Sequence, residues 1–271
     1  MTGAFGTKPS PGPDQPPIPV RLVTFNTHHG VGEDTKHDLA RLATVLAAAD
    51  ADVICLQEVD RHFGDRSEGV DQALLLSRAL DMQLAWGPAI DESRPDGGPD
   101  REYGNAVLSR LPILVSDVHR LPGKGEPRSA LRTMIELDGG TLWVINTHLS
   151  TGNPERRGRQ VAALAGLHTD SMGAGVLVGD FNANPDAPEL AALRGRFADA
   201  WELAEERDDR SGWRFWQHDE GLTHPAHSPH RRIDQVWVTP GVGVRDARVL
   251  DARGASDHLP LRVDLAVPSG V

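Results

Sequence analysis

Four strand-like segments follow one another between residues 104 and 147 with no helical segment between them. They cover residues 104–109, 112–119, 130–137 and 141–147. Strands joined by short connections pair antiparallel, because parallel neighbours need a crossover of a dozen or more residues. This run therefore argues against the alternative fold, a doubly wound parallel sheet.

The rest of the chain alternates between helical and strand-like patterns. Apolar residues at helical spacing predict helices over 37–49, 70–81, 155–168 and 188–194. Short apolar runs predict further strands at 20–26, 52–56, 176–178, 233–238, 243–250 and 259–265. Residues 91–101 are predicted to be a loop, and 201–230 a polar region rich in tryptophan. Strand pairs combined with helices between more distant strands favour an α+β fold, with two sheets face to face and helices outside.

Composition predicts one domain behind a short leader. Of the 271 residues, 39% are apolar, which is enough for a single core over residues 20–271. Residues 1–19 hold six prolines and three glycines, so we expect a disordered leader rather than a signal peptide. The single cysteine, Cys55, excludes a disulfide framework. No apolar run approaches the ~18 residues of a membrane helix. We expect a cytoplasmic monomer without a stable protein partner.

The formal charge of −11 argues against tight non-specific binding to DNA, which depends on neutralising phosphates. Several of the acidic residues stand, with Asn and His, where predicted strands end. The polar strand ends are Asn26, Glu58, His148, Asp180 with Asn182, and Asp257 with His258. Such side chains gathered at one rim of a sheet core are typical of an active site.

Each of these residues also has an ordinary structural interpretation. Asp180 and Asn182 are common turn residues, and Asp257 with His258 could form a capped turn. Asp234 follows Ile233 in an apolar run, where an unpaired buried carboxylate would be costly, so His258 is its expected partner. His148 could be a core histidine held by hydrogen bonds.

Other histidines suggest a transition-metal site less clearly. His28 and His29 are adjacent on a predicted strand, so their side chains should point to opposite faces. His224, His227 and His230 alternate with prolines, and we interpret them as surface or substrate-loop residues rather than as zinc ligands.

Seven short motifs resemble those of the endonuclease/exonuclease/phosphatase superfamily, the metal-dependent phosphoesterases with a pancreatic-DNase-like fold. In family order they are Thr24-Phe25-Asn26, Leu56-Gln57-Glu58, Gly104-Asn105-Ala106-Val107-Leu108-Ser109, Asn146-Thr147-His148-Leu149, Gly179-Asp180-Phe181-Asn182, Arg232-Ile233-Asp234 and Ser256-Asp257-His258. The resemblance implies a four-layer αββα sandwich, a divalent metal, usually Mg²⁺ with Mn²⁺ as an option, and hydrolysis of a phosphate ester by in-line attack of water.

The resemblance also implies roles for individual residues. Glu58 would be the main metal ligand, with Asn26 and Asp257 near the metal. Asp180 would orient or deprotonate the water, and Asn182 would hold Asp180 and the phosphate. His258, supported by Asp234, would stabilise developing charge or act as acid and base, and His148 would contact the phosphate from the other side. Mg²⁺ prefers oxygen ligands, which carboxylates supply.

Candidate substrate contacts are less specific. Asn105 enters an apolar strand, and the arginines at 128, 132, 231 and 232 offer guanidinium groups that match phosphate geometry. From these we select Asn105, Arg128 and Arg232.

The substrate stays open among nucleic acid, a small molecule and a phospholipid. Sphingomyelinase-type head-group cleavage is one alternative, for which Trp213, Phe215 and Trp216 could contact a membrane. A catalytically inactive scaffold of the same fold is the other. His28, Val59 and Asp60 replace residues typical of abasic-site endonucleases, and Arg232-Ile233-Asp234-Gln235 departs from inositol 5-phosphatases.

Overall fold

The computed structural model describes residues 16–95, 97–209 and 220–270. The strands are Ile18–Asn26 (β1), Val53–Arg61 (β2), Gln83–Glu92 (β3), Arg101–Ser109 (β4), Ile113–Leu121 (β5), Arg128–Leu137 (β6), Gly140–His148 (β7), Gly175–Asp180 (β8), Ala198–Asp199 (β9), Glu206–Asp209 (β10), Asp234–Val238 (β11), Gly243–Val249 (β12) and Leu261–Val267 (β13). The α-helices are Leu39–Ala48 (α1), Gln72–Leu80 (α2), Pro154–Ala165 (α3) and Ala200–Leu203 (α4).

The strands form two mixed sheets. One has seven strands in the order β10-β12-β13-β1-β2-β4-β3, and the other has six in the order β5-β6-β7-β8-β11-β9. In the first, β1 is parallel to β2 and antiparallel to β13. In the second, β7 is parallel to β8, which is antiparallel to β11. The predicted α+β sandwich of two mixed sheets is confirmed, and the doubly wound alternative is wrong.

The alternation along β8 shows how the layers are built. Val176 and Val178 join the large core cluster between the sheets, while Leu177 joins a second cluster under α3. Successive side chains of a strand point to opposite faces, so a wholly buried strand needs apolar residues throughout. Each such side chain contributes about 1.5–3 kcal/mol on burial. Leu42 and Leu46 of α1 belong to the large cluster, and α2 contacts β2 and β3.

Asn146 of β7 ties the two sheets together. Its Nδ2 donates to the carbonyl oxygens of Leu56 and Ala106, both at 2.9 Å, and its Oδ1 accepts from Gln57 Nε2 at 2.8 Å. The β2–β4 pairing is irregular between Leu56 and Val59, so backbone groups there need partners from outside the ladder. Asn146 supplies them from the facing sheet.

Apart from the short elements β9, α4 and β10, which were not predicted, the observed structure differs from the prediction in two segments. Gln83–Glu92 forms β3, a segment for which no strand was predicted. Gly87 and Pro88 weaken the strand pattern there, but β3 lies at a sheet edge, where proline is tolerated. The helix predicted over 188–194 is only a 3₁₀ turn, Pro188–Leu190. Its N-cap residue, Ala187, has no side chain that could accept a capping hydrogen bond.

The predicted ends of the chain are only partly described. β1 begins at Ile18, two residues before the predicted domain start, and residues 1–15 of the predicted leader lie outside the described ranges. The aromatic residues Trp213, Phe215 and Trp216 also lie outside them. None of the helices in residues 16–95, 97–209 and 220–270 has the length and apolarity needed to cross a membrane.

Candidate active site

A cleft of about 840 Å³ opens at one end of the sandwich. β1, β7 and β8 end there, and β11 begins there; β2 contributes the irregular step after Leu56. The cleft is lined by His28, His29, Glu58, Phe63, Arg66, Ile90, Tyr103, Glu126, Arg128, His148, Thr151, Gly152, Pro154, Arg157, Asp180, Asn182, His224, Arg231, Ile233, Asp257 and His258. Antiparallel and parallel pairings thus bring distant segments of the chain to one rim.

Glu58 is aimed into the cleft by the irregularity in β2. Its backbone is left-handed, with φ of +55°, a conformation that non-glycine residues adopt rarely and mostly at functional sites. Asn26 Nδ2 donates to Glu58 Oε1 at 3.1 Å. Burial opposes the charge of Glu58, but the nearby His29 ring, with Nδ1 3.9 Å from Glu58 Oε2, and the hydrogen bond from Asn26 outweigh it and lower the pKa of the carboxyl. Glu58 is therefore ionised.

Asp180 is the central buried carboxylate. Its Oδ2 accepts from Asn26 Nδ2 at 3.0 Å, and its Oδ1 accepts from the backbone N–H of Asn182 at 2.8 Å. Asn26 therefore bridges Glu58 and Asp180 through a single amide nitrogen. Burial, assisted by the charge of Asp234, raises the pKa of Asp180 to about 7. A carboxylate with that pKa can accept a proton near neutral pH.

His258 is held between two carboxylates. Its Nδ1 donates to Asp234 Oδ2 at 2.8 Å, and its Nε2 lies 3.8 Å from Asp180 Oδ2. Burial opposes protonation of the ring, but the charges of Asp234 and Asp180 and the hydrogen bond to Asp234 raise the pKa of His258 to about 10. The buried carboxylate of Asp234 has the partner that the sequence suggested, and the imidazolium faces the cleft.

His148 has the opposite electrostatics. Burial, together with the charge of Arg128, lowers the pKa of His148 to about 3, so the ring is neutral. Arg128 Nη1 lies 3.2 Å from His148 Nδ1, and a guanidinium can only donate. Nδ1 is therefore the acceptor, and Nε2 carries the proton.

Asn182 completes a pair of donors beside His148. Its Nδ2 donates to Leu149 O at 3.0 Å and lies 3.0 Å from His148 Nε2. Two donors cannot satisfy each other, so the His148 Nε2–H and the second N–H of the Asn182 amide are both available to an acceptor at this point of the cleft. A phosphoryl oxygen is an acceptor of the required kind.

The donor set fits a hard divalent cation. Glu58 and Asp257 bring carboxylate oxygens to the cleft, and half-exposed Asp257 leaves room for the waters that Mg²⁺ retains. Asn26 lies beside Glu58 and Asp180: its Nδ2 faces both carboxylates, and its Oδ1 accepts from His28 N at 3.1 Å. In this orientation Asn26 positions the two carboxylates, and its place near the metal stays a prediction.

Two of the three predicted substrate contacts lie elsewhere. Asn105 is buried between the sheets and donates to Ser129 O at 3.0 Å. The guanidinium of Arg232 contacts Asp199 and Glu202 and does not line the cleft. Its neighbour Arg231 lines the cleft and donates to Asn182 O. Arg132, considered with these, is paired with Asp117.

Several cleft residues were missed. Phe63, Arg66 and Tyr103 form one wall, with the Arg66 guanidinium over both rings at 4.3 and 5.4 Å and paired with Asp60. Arg157 is buried on the same face of α3 as Val161, and a lone cation in that apolar stripe was the available signal. Phe63 and Arg66 follow β2 in an irregular loop, where no periodic pattern could single them out.

His28 and His29 do not lie on a strand, so the prediction that their side chains point to opposite faces is wrong. His28 and His29 form a 3₁₀ turn with φ of +45° and +44°, and both line the cleft. Their rings meet edge to face with centroids 4.6 Å apart. His224 also lines the cleft, whereas the side chain of His227 is 70% exposed.

The chain is similar in sequence and fold to known proteins. The sequence model described as the Endonuclease/Exonuclease/phosphatase family matches residues 23–258. A crystal structure of an endonuclease/exonuclease/phosphatase from Beutenbergia cavernae is 28% identical, with a TM-score of 0.76 over 93% of this chain and 72% of that one. No curated protein matches the chain.

Two other solved structures share the fold at lower identity. The Bacteroides thetaiotaomicron mannosyl-6-phosphatase is 19% identical, with a TM-score of 0.68 over 91% of this chain and 99% of that one. The human Nocturnin catalytic domain with bound sulfate anion is 22% identical, with a TM-score of 0.66 over 92% of this chain and 95% of that one.

Proposed function

Because the chain belongs to the endonuclease/exonuclease/phosphatase family, we propose that it is a Mg²⁺-dependent phosphoric ester hydrolase in which a water molecule attacks phosphorus in line with the leaving group. Phosphoester hydrolysis is the reaction class of the family. The metal, the in-line attack and the residue roles are what the resemblance to the family implies, and the residues of the cleft are compatible with them.

One observation carries the proposal: Asn26 Nδ2 bridges the carboxylates of Glu58 and Asp180, and Asp180 faces the His258 ring. A metal-binding carboxylate, a proton acceptor and a cation therefore lie side by side. Phosphoryl transfer needs this combination, since an anionic ester repels nucleophiles and accumulates charge as it reacts.

Asp180 is the proposed base. Its Oδ1 is held by the Asn182 N–H and its Oδ2 by Asn26, which fixes the direction from which a water can donate. Burial raises its pKa to about 7, so the carboxylate both exists and accepts a proton at neutral pH.

His258 and His148 would contact the phosphoryl group from two sides. His258 offers an imidazolium N–H, kept charged by Asp234, against the developing negative charge. Neutral His148 and the Asn182 amide offer two further N–H donors. Arg128, which fixes the His148 tautomer, is the arginine we propose to act on substrate binding.

Glu58 and Asp257 are the residues we propose to hold the cation, Mg²⁺ or Mn²⁺. When bound, the ion polarises a phosphoryl oxygen and stabilises the leaving oxygen. Asn26 holds Glu58 in place for this role.

The test is hydrolysis by purified protein of bis-p-nitrophenyl phosphate, p-nitrophenyl phosphate, plasmid DNA, RNA and sphingomyelin vesicles, each with Mg²⁺, Mn²⁺ or EDTA. We expect metal-dependent turnover of at least one ester, lost by roughly 10²-fold or more in Asp180→Ala and His258→Ala. Glu155→Gln, at an exposed helix position, is the matched control. Turnover that survives in both cleft variants, or no turnover of any ester, contradicts the proposal.

A further inference from the structure

One wall of the cleft offers two imidazoles and a carboxylate to the same point. Ligand atoms of His224, Asp257 and His258 all lie within 4.8 Å of one another. The three come from two segments, the loop before β11 and the turn before β13. The roles proposed above use Asp257 and His258 but leave His224 without a task.

His258 has a single ring atom available for a metal. Its Nδ1 is committed to buried Asp234 at 2.8 Å, which leaves Nε2 facing the cleft. A carboxylate that accepts from the second ring nitrogen is the usual support of a metal-binding histidine, because it fixes the tautomer and raises ligand basicity.

The His224 ring is held in place, yet its nitrogens are free of hydrogen bonds within the described chain. Its backbone pairs with Arg231 in both directions. Its Nδ1 is buried without a partner among the described residues, and its Nε2 lies 3.9 Å from Asp257 Oδ2, beyond hydrogen-bonding distance. The centroid of its ring is 4.5 Å from that of His258.

His28 approaches Asp257 from the other side but is not a ligand of the same site. Its Nδ1, 3.8 Å from Asp257 Oδ1, donates to the carbonyl oxygen of Val31. A protonated ring nitrogen cannot bind a metal, and His28 is not part of the set of residues whose ligand atoms lie within 4.8 Å of one another.

The ligand chemistry differs from that of the proposed Mg²⁺ site. Two imidazole nitrogens and one carboxylate, with a position open to water, match the set that Zn²⁺ takes when three protein ligands bind it. Mg²⁺ prefers oxygen alone and discriminates against such a set.

We propose that His224, Asp257 and His258 form a second cation site that takes Zn²⁺, and that its occupation stops phosphoester hydrolysis. Only the inhibitory effect rests on the proposed function. Metal binding at His258 Nε2 displaces that proton to solvent, and the ring can no longer donate to the phosphoryl group. Asp257 is drawn from the Mg²⁺ site at the same time.

The site itself is tested without any substrate, by calorimetric titration of the whole chain with Zn²⁺ in excess Mg²⁺. We expect one tight site in the wild-type protein and in His227→Ala, which makes the same change at an exposed position of the same loop. In His224→Ala and His224→Gln the affinity should fall about tenfold or more. Co²⁺ as a probe should give visible absorption bands that weaken in the same two variants.

Inhibition is tested separately, with an ester that the protein hydrolyses in Mg²⁺. The quantity measured is the Zn²⁺ concentration that halves the rate of this hydrolysis. We expect His224→Gln to require about tenfold more Zn²⁺ than wild type or His227→Ala, each compared with its own turnover in Mg²⁺ alone. Equal Zn²⁺ affinity in wild type and both His224 variants overturns the site. Zn²⁺ binding that depends on His224 in a protein without hydrolytic activity supports the site and contradicts the proposed function instead.

Discussion

At the residue scale, the cleft separates three titratable groups by environment. Burial raises the pKa of Asp180. The negative charge of Asp234 raises the pKa of His258, so its ring stays protonated. His148 is equally buried but lies beside Arg128, which lowers its pKa, so its ring is neutral and carries a proton on Nε2 only. One acceptor, one cation and one neutral donor result from three groups that would titrate between about pH 4 and 6.5 in water.

This separation predicts a bell-shaped pH profile of kcat/KM. Activity should fall as pH drops below about 7, where Asp180 gains a proton, and as pH rises through about 10, where His258 loses one. A bound cation stabilises the carboxylate and moves the acidic limb to lower pH. The two limbs belong to the coupled pair rather than to either residue alone.

Asp234→Asn should move the alkaline limb most and the acidic limb slightly, because the charge of Asp234 raises the pKa of His258 and, to a smaller extent, that of Asp180. The substitution removes this charge, so the alkaline limb should shift to lower pH, with kcat reduced roughly 10²–10⁴-fold. The measurement is a set of pH–rate profiles for wild type, Asp234→Asn and Glu155→Gln. An alkaline limb that stays in place in Asp234→Asn contradicts the assignment to His258.

At the scale of elements, the irregular step in β2 positions Glu58 and leaves backbone carbonyls for Asn146 to satisfy. The same tie orients β2 against β7, so the two sheets are aligned where the cleft begins. Asn105 forms a similar tie to Ser129. Motif residues that are polar in the sequence therefore divide between the cleft and the alignment of the sheets, and their type alone does not distinguish the two.

Asn146→Ala should destabilise the protein by about 2–4 kcal/mol, because two buried carbonyl groups and the Gln57 amide lose their partner. Urea unfolding measures the loss, with exposed Asn184→Ala as the control. A change below about 0.5 kcal/mol would show that these groups find other partners.

Gly179 sets the approach of β8 to β7. Its φ is +138°, and a β-carbon at this position would lie 1.9 Å from the carbonyl oxygen of Thr147. Gly179→Ala should therefore cost roughly 3 kcal/mol or more and displace Asp180, which follows directly. Gly195→Ala, where the added carbon meets nothing within 4 Å in the described chain, is the matched control. Equal unfolding midpoints for the two variants would contradict this packing argument.

At the scale of the whole molecule, one cleft is lined by four carboxyl groups, and the formal charge of the chain is already −11. The four belong to Glu58, Glu126, Asp180 and Asp257. Glu58 and Asp257, the pair proposed to hold the metal, belong to this group. A cation that binds the folded state alone should stabilise the entire domain by linkage.

Mg²⁺ at about 100 times its Kd should stabilise the protein by about 2.7 kcal/mol, which corresponds to a rise in Tm of roughly 5–10 °C for a domain of this size. Glu58→Gln should lose most of the rise, and Glu155→Gln should keep it. Differential scanning calorimetry with and without Mg²⁺ checks this. A rise of the same size in both variants would place the cation elsewhere.

Much of the architecture was predictable because it depends on local patterns. Continuous apolar runs such as 176–178 identified buried strands, and helical spacing identified α1, α2 and α3. Edge strand β3 was missed, since Gly87 and Pro88 obscure its alternation and only a neighbouring strand makes it regular. The turn at Pro188 showed helical composition without the length or capping to sustain a helix.

Sequence alone determined which side chains could do chemistry: Glu58, Asp180, Asp234, Asp257 and the two histidines 148 and 258 are polar residues set in or beside apolar strands, and that placement is a local property. Tertiary structure alone decided which of them meet and in what protonation state. Arg231 faces the cleft while Arg232 does not, Asn26 presents nitrogen rather than oxygen to the carboxylates, and His224 reaches Asp257. These outcomes depend on burial and on distances between segments far apart in the chain, which no local pattern encodes.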